Sequence, residues 1–154
     1  MKLAIFISIL NVLLIYTFAV KRRLHILEMM VIWMIVWLIT HSISSILTVN
    51  VERLAISRNV QEFSIHFLKR FLLYPLVIIH FIDFSLRFKS IAAKIAIALV
   101  NVFVMTLLVY LFIEIGVLYS KGYKWGYSIL EWIFTIGLTI GVWYLYRKKY
   151  MRGL

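Results

Sequence analysis

A series of long apolar runs, separated by short polar segments, constrains this chain more than any other feature. A helix rises about 1.5 Å per residue, so about 20 apolar residues cross the roughly 30 Å hydrocarbon core of a bilayer. None of the runs alternates with the period of two that is typical of a barrel strand. The sequence therefore predicts an all-α integral membrane bundle, one domain over residues 1–154, with about five transmembrane helices. The predicted spans cover residues 3–20, 26–49, 71–86, 95–118 and 127–146.

Composition supports the same class. Hydrophobic residues make up 64% of the chain and charged residues 15%, against about 45–50% apolar and about 25% charged in soluble domains. The net charge of +11 comes from cations at the ends of the apolar runs, where they contact anionic lipid headgroups. We therefore expect the lipid bilayer, and no nucleic acid, as a partner. The absence of cysteine excludes disulfides and thiolate metal sites.

The connection between the second and third runs mixes apolar with charged residues. Residues 50–70 lack the uninterrupted hydrophobicity of a span. This pattern predicts an amphipathic helical connection, either lying at the membrane interface or extending the neighbouring spans beyond the bilayer. The apolar members are Leu54, Val60, Phe63 and Phe67, and the charged members are Glu52, Arg53, Arg58 and Glu62.

Lysine and arginine counts predict the orientation, because cytoplasmic loops carry an excess of these residues. With the amino terminus outside, ten cations lie inside and seven outside, which favours a cytoplasmic carboxyl terminus. Residues 1–19 could be a cleaved signal peptide, but the cations directly behind them favour an uncleaved helix. The inside set is Lys21, Arg22, Arg23, Arg87, Lys89, Lys94, Arg147, Lys148, Lys149 and Arg152; the outside set is Lys2, Arg53, Arg58, Lys69, Arg70, Lys121 and Lys124.

Two pairs of ionisable residues lie at the predicted cytoplasmic edge. His25 and Glu28 begin the second run, and His80 and Asp83 end the third. Each pair is spaced i, i+3, which places both side chains on one helix face. The two runs are antiparallel, so the pairs could meet at one depth. Four such side chains could transfer protons or bind a divalent cation.

A structural interpretation of these residues is favoured over both functional ones. Asp83 lies four residues before Arg87, the usual spacing of a helical ion pair. Glu28 can extend toward the cations at residues 21–23. Among the functional alternatives, a proton or ion role ranks above a metal site.

Two further carboxylates lie near the predicted outer face. Glu114 ends the fourth run and Glu131 follows the start of the fifth. They could flank the outer mouth of a vestibule. Alternatively, each could pair with Lys121 or Lys124 in the connection between these runs, and we favour this pairing. Deeper polar residues such as Asn101 are expected to form hydrogen bonds between helices.

The fifth run contains a GxxxG motif at Gly137 and Gly141. The missing side chains let another backbone approach closely. The partner could be a helix of this chain or of a second copy, and packing within the chain is the favoured interpretation. Ala92 and Ala96 form a weaker version of the same motif.

The second half of the chain carries a recognisable pattern. A Tyr-Pro pair opens the third span, FIEIGVLYSKGYKWGYS occupies residues 112–128, and the last span ends in YLYRKK. This pattern resembles a family of small, uncharacterised multi-pass membrane proteins of Gram-positive endospore formers. The resemblance implies a bacterial cytoplasmic membrane and no assigned chemistry. The matching residues are Tyr74, Pro75, Glu114, Gly116, Tyr119 and Trp125.

No catalytic signature accompanies these residues: the sequence lacks a phosphate-binding glycine loop, an HExxH motif and a nucleophile elbow. The favoured function is a non-enzymatic structural or accessory subunit of a membrane complex, or a homo-oligomer, without a cofactor. A proton- or cation-conducting protein that uses the residues at the cytoplasmic edge, with Glu114 at the outer mouth, is the alternative. A metal-dependent hydrolase or lipid-modifying enzyme is the third hypothesis.

Overall fold

The structure, a computed structural model, describes residues 2–46, 54–56, 59–120 and 124–150. The end of the predicted second span, residues 47–49, lies outside the described residues. So do Glu52, Arg53 and Arg58 of the predicted amphipathic connection, and Lys121, the proposed partner of an outer carboxylate.

Within these described residues, five helical segments are long and apolar enough to cross a membrane, by length and composition. The prediction of five apolar helices is thereby confirmed. Four of these segments are single α-helices, and the third consists of two α-helices joined without a break. The helices are α1 (Lys2–Ala19), α2 (Ile26–Ser45), α3 (Val60–Leu68), α4 (Tyr74–Ser85), α5 (Ile91–Glu114) and α6 (Trp125–Tyr150).

Several helix boundaries differ from the prediction. The third helical segment begins at Val60 rather than residue 71, because Asn59 caps it by accepting a hydrogen bond from the Gln61 backbone N–H at 2.9 Å. The amphipathic stretch Val60–Leu68 is therefore a direct extension of the third helix. The fourth helix ends at Glu114 rather than 118, and the last runs over Trp125–Tyr150 rather than 127–146.

A widened turn joins α3 to α4. Residues Lys69–Leu73 form a π-helical turn, in which the Tyr74 N–H donates to the carbonyl of Lys69. Pro75 follows in the first turn of α4. Proline has no N–H to donate and clashes with the carbonyl four residues before it, and the wider turn accommodates both effects. The helix thus continues through the proline.

The third segment, α3 with α4, is the most buried of the five. Helix α4 packs between α2 and α5, and α6 packs between the same two helices on the other side. Helix α1 contacts α3 and α4 from outside this ring. The antiparallel second and third runs are therefore neighbours. The interior holds Trp132, whose ring meets the Tyr74 ring edge-on at 4.9 Å between centroids.

A short antiparallel ribbon marks one end of the bundle. Strand β1 (Leu54–Ile56) pairs with β2 (Leu118–Ser120), with Ala55 opposite Tyr119. Gly116, with a φ of 77°, reverses the chain between α5 and β2, a conformation that residues with a Cβ rarely adopt.

We call this end the ribbon end. Lys2 belongs to it, because its ammonium donates to the Ile115 carbonyl at 2.8 Å and lies 3.5 Å from the Glu62 carboxylate. The opposite end, formed by residues 20–25 and 86–90, is called the turn end.

The ribbon register can be tested because the chain has no native cysteine. We expect Ala55→Cys with Tyr119→Cys to form a disulfide under mild oxidation, since facing residues of an antiparallel pair have Cα atoms about 4.5–5.5 Å apart. Gel mobility with and without reductant measures the bond. The control pair Ala55→Cys with Ala92→Cys joins opposite ends and should not react. Absence of the first disulfide, or formation of the second, would contradict this register.

Candidate functional site

Asp83 of α4 holds the turn between α1 and α2. Its Oδ1 atom accepts hydrogen bonds from the backbone N–H groups of Arg23 at 2.8 Å and Leu24 at 3.1 Å. The side chain is 4% exposed. Its other oxygen lies 3.9 Å from the Arg87 guanidinium, the predicted i, i+4 ion pair. The backbone donors are closer, so Asp83 acts mainly as an acceptor for the turn.

His80 connects the same turn to α4. Its Nδ1 atom lies 2.6 Å from the Leu76 carbonyl oxygen, which can only accept, so Nδ1 carries the proton. Its Nε2 atom then accepts from the Arg22 guanidinium at 2.9 Å. Arg22 also donates through Nε, at 2.6 Å, to the carbonyl of Thr17 in the last turn of α1. In this arrangement the imidazole is neutral and both ring nitrogens are used.

Glu28 connects α2 to α6. One carboxylate oxygen accepts from the His25 backbone N–H at 2.9 Å and completes a capping box at the start of α2. The other accepts from the Trp143 indole N–H at 3.0 Å and lies 3.5 Å from Arg147. Glu28 is 2% exposed. Its ionic partner is Arg147 rather than the cations at residues 21–23, because α6 packs along α2.

The four residues share the turn end but face different partners. Asp83 points at the turn and Glu28 points at α6, while His25 is exposed and its ring caps α2 by accepting from the Leu27 N–H at 3.3 Å. A groove of about 310 Å³ lies beside His80 and Asp83. Within the part of the chain that the structure describes, no three His, Asp or Glu side chains cluster as a metal site would require. The contacts of these residues therefore hold helices together and do not form one shared site.

A polar cluster in the ribbon half of the bundle was not predicted from the sequence. Lys69 is 2% exposed, and its ammonium lies over the rings of Phe112, 4.7 Å from the centroid, and Tyr74, at 5.8 Å. Arg70 contacts the Ser44 hydroxyl and the His66 ring. Both cations had been counted only as outer flanking charges. The signal in the sequence was that apolar residues of α3 also precede Lys69 and Arg70. The two cations therefore interrupt an apolar stretch and do not mark its end.

The two outer carboxylates occupy different environments. Glu131 is half-buried and interacts electrostatically with Lys69 and Arg70. Glu114 is exposed at the end of α5. Glu131 therefore belongs to the interior cluster, whereas Glu114 lies at the surface of the ribbon end.

Comparison with known proteins assigns no family. No family model matches the chain. No curated protein and no solved structure is significantly similar to it. The geometry of the chain is therefore the basis for a function.

The role of Asp83 predicts a stability effect. Asp83→Asn removes the charge that two backbone donors share, so we expect the free energy of unfolding to fall by about 1–3 kcal/mol. Arg87→Gln is the matched control: the Arg87 side chain is 47% exposed and its guanidinium lies 3.9 Å from the carboxylate, so its loss should change stability by less than about 1 kcal/mol. Reversible denaturation in mixed micelles measures both. A larger effect for Arg87→Gln would contradict this assignment.

The contact between Glu28 and Trp143 can be measured by a double-mutant cycle. Glu28→Ala and Trp143→Phe should each destabilise the protein, with a coupling energy of about 1 kcal/mol or more because both remove one buried hydrogen bond. Glu28→Gln should be milder than Glu28→Ala, since glutamine retains the capping box. Additive single effects would show that the indole and the carboxylate do not interact.

Proposed function

We propose that this chain is an integral protein of a bacterial cytoplasmic membrane, with its amino terminus outside and its carboxyl terminus in the cytoplasm. Five apolar helices support the membrane location. The resemblance in the second half of the chain supports a bacterial membrane. The bundle gathers cation-rich segments at the turn end, including residues 21–23, 87–94 and 147–149, and the excess of positive charge supports a cytoplasmic location for this end.

Within this membrane, the protein is a non-enzymatic subunit that acts by association. Three of the candidate side chains at the turn end hold helices together: Asp83 and His80 bind the α1–α2 turn, and Glu28 binds α6. The observation that carries the proposal lies on the other face of α6. Gly137 and Gly141 are exposed, and a Cβ built on either would meet no atom within 4 Å.

The exposed glycines correct the prediction that this motif packs within the chain. The buried face of α6 carries Trp132, Ile136 and Thr139, and the glycines lie on the opposite side of the helix. No other helix of the described residues covers them. We infer that this face of α6 contacts another molecule.

The physics of helix association in lipid favours this face. Lipid tails are as apolar as leucine, so helices associate through close packing, and glycines permit the closest backbone approach. Glycine costs about 0.5–1 kcal/mol relative to alanine inside a helix, and a close helix contact offsets this cost. Leu130, Phe134 and Leu145 are exposed on the same side and extend the contact surface. A helix of a second copy, or of another subunit in a larger complex, fits the face around Gly137 and Gly141, which we call the seam.

The association can be tested with Gly137→Leu combined with Gly141→Leu. We expect wild-type copies labelled with donor and acceptor dyes to show energy transfer in liposomes, and the double variant to associate about tenfold more weakly because two isobutyl groups separate the backbones. Val100→Leu with Phe103→Leu is the control, because it places leucines at two exposed positions of α5 outside both small-residue motifs, and it should leave the signal unchanged.

The outcomes separate the two kinds of partner. Loss of energy transfer in the glycine variant alone assigns the seam to a second copy. A monomeric wild type that retains a membrane protein through native purification, and loses it in the glycine variant, assigns the seam to a larger complex. A monomeric wild type whose partners are unchanged by the glycine substitutions would overturn the proposal.

A further inference from the structure

A groove runs between α4, α5 and α6 in the turn half of the bundle. Its volume is about 420 Å³, within the range of about 300–1,000 Å³ that small-molecule sites occupy. Its walls are mainly apolar and include Ile97, Ala98 and Ile140. A buried water occupies about 30 Å³, so this groove is much larger than a hydration site.

Two cations line the mouth of the groove. Lys94 lies in the first turn of α5 and Arg147 in the last turns of α6, and both contribute to its lining. Arg147 lies 3.5 Å from Glu28 and 5.5 Å from the centroid of the Trp143 ring, which orient its guanidinium. Lys94 forms no ion pair with any residue that the structure describes. The mouth therefore carries more positive than negative charge.

A buried amide lines the inner part of the groove. Asn101 is 2% exposed, and its Oδ1 atom has no hydrogen-bond partner among the described residues. A buried acceptor without a donor is unfavourable, because the hydrogen bonds that it makes with water in the unfolded chain are not replaced. Asn101 lies seven residues beyond Lys94 on α5, or about 10 Å along the helix axis at 1.5 Å per residue. The groove thus extends from a cationic mouth to a polar point well inside the bundle.

We propose that this groove binds one anionic phospholipid. The phosphate lies between Lys94 and Arg147, and one acyl chain follows the apolar wall formed by Ile97, Ala98 and Ile140. A water that enters with the lipid donates to the Asn101 oxygen. The inference rests on the proposed membrane location but does not depend on association through α6.

The chemistry of the mouth selects the headgroup. Arginine binds phosphate through a planar pair of N–H groups, and lysine adds a second positive charge. A cation near the membrane surface attracts lipids of net negative charge. A zwitterionic headgroup brings its own cation toward Lys94 and loses part of this attraction. A lipid with a net negative charge is therefore preferred.

Native mass spectrometry of the full chain in detergent, with added phosphatidylglycerol or phosphatidylcholine, tests the proposal. We expect one phosphatidylglycerol per chain and weaker binding of phosphatidylcholine. Ala98→Phe fills the groove and should reduce binding at least tenfold, whereas Ala96→Phe, exposed on the same helix, should not. Lys94→Gln should weaken binding about fivefold, while Lys89→Gln, an exposed cation at the same end, should have no effect.

Several results would overturn the lipid site. Equal binding of the two lipids would remove the role of the cations, and equal loss in Ala96→Phe and Ala98→Phe would remove the groove. Displacement by inorganic phosphate would assign the cations to a free anion.

Lys94→Gln keeps the test decisive if Ala98→Phe does not fold. Lipid binding that is retained in the Gly137→Leu, Gly141→Leu variant would show that this site is independent of association through α6. A wild-type protein that is soluble without detergent would contradict the proposed membrane location rather than the lipid site alone.

Discussion

The carboxylate of Asp83 is the interaction on which the turn end depends. The backbone N–H groups of Arg23 and Leu24 lie before the first turn of α2 and have no partner within that helix. In a poorly hydrated environment such donors need an acceptor from the protein itself. Asp83 supplies one oxygen to both, so the connection between α1 and α2 is held against α4. The relative positions of three helices follow from this contact.

The same requirement explains how the other interior polar groups are used. Glu28 accepts from Trp143 and thereby joins α2 to α6, although 115 residues separate the two side chains. Lys69 lies over aromatic rings in the ribbon half, where α3 widens into a π-helical turn. These contacts leave the outer faces of the helices apolar. The bundle therefore presents apolar outer faces and charged ends to its surroundings.

Local patterns predicted part of this arrangement. The ion pair between Asp83 and Arg87 follows from i, i+4 spacing. For Glu28 the sequence predicted contact with the cations at residues 21–23, whereas the structure shows a cap of α2 and a contact with Arg147. The contact between Glu28 and Trp143 could not be predicted, because it depends on which face of α6 packs against α2. The burial of Lys69 was hidden for the same reason. Spacing along one helix is visible in a sequence, whereas contacts between distant helices are not.

The number of apolar helices and the presence of the glycine motif follow from run length and residue type, which are local properties that can be read along the chain. Which side of each helix is buried depends on packing between helices. Helices that are apolar on all sides carry little periodicity, so the chain does not mark their interior faces. Packing of α6 through Trp132 and Trp143 turned Gly137 and Gly141 outward. The same packing placed Lys94 and Arg147 beside one groove.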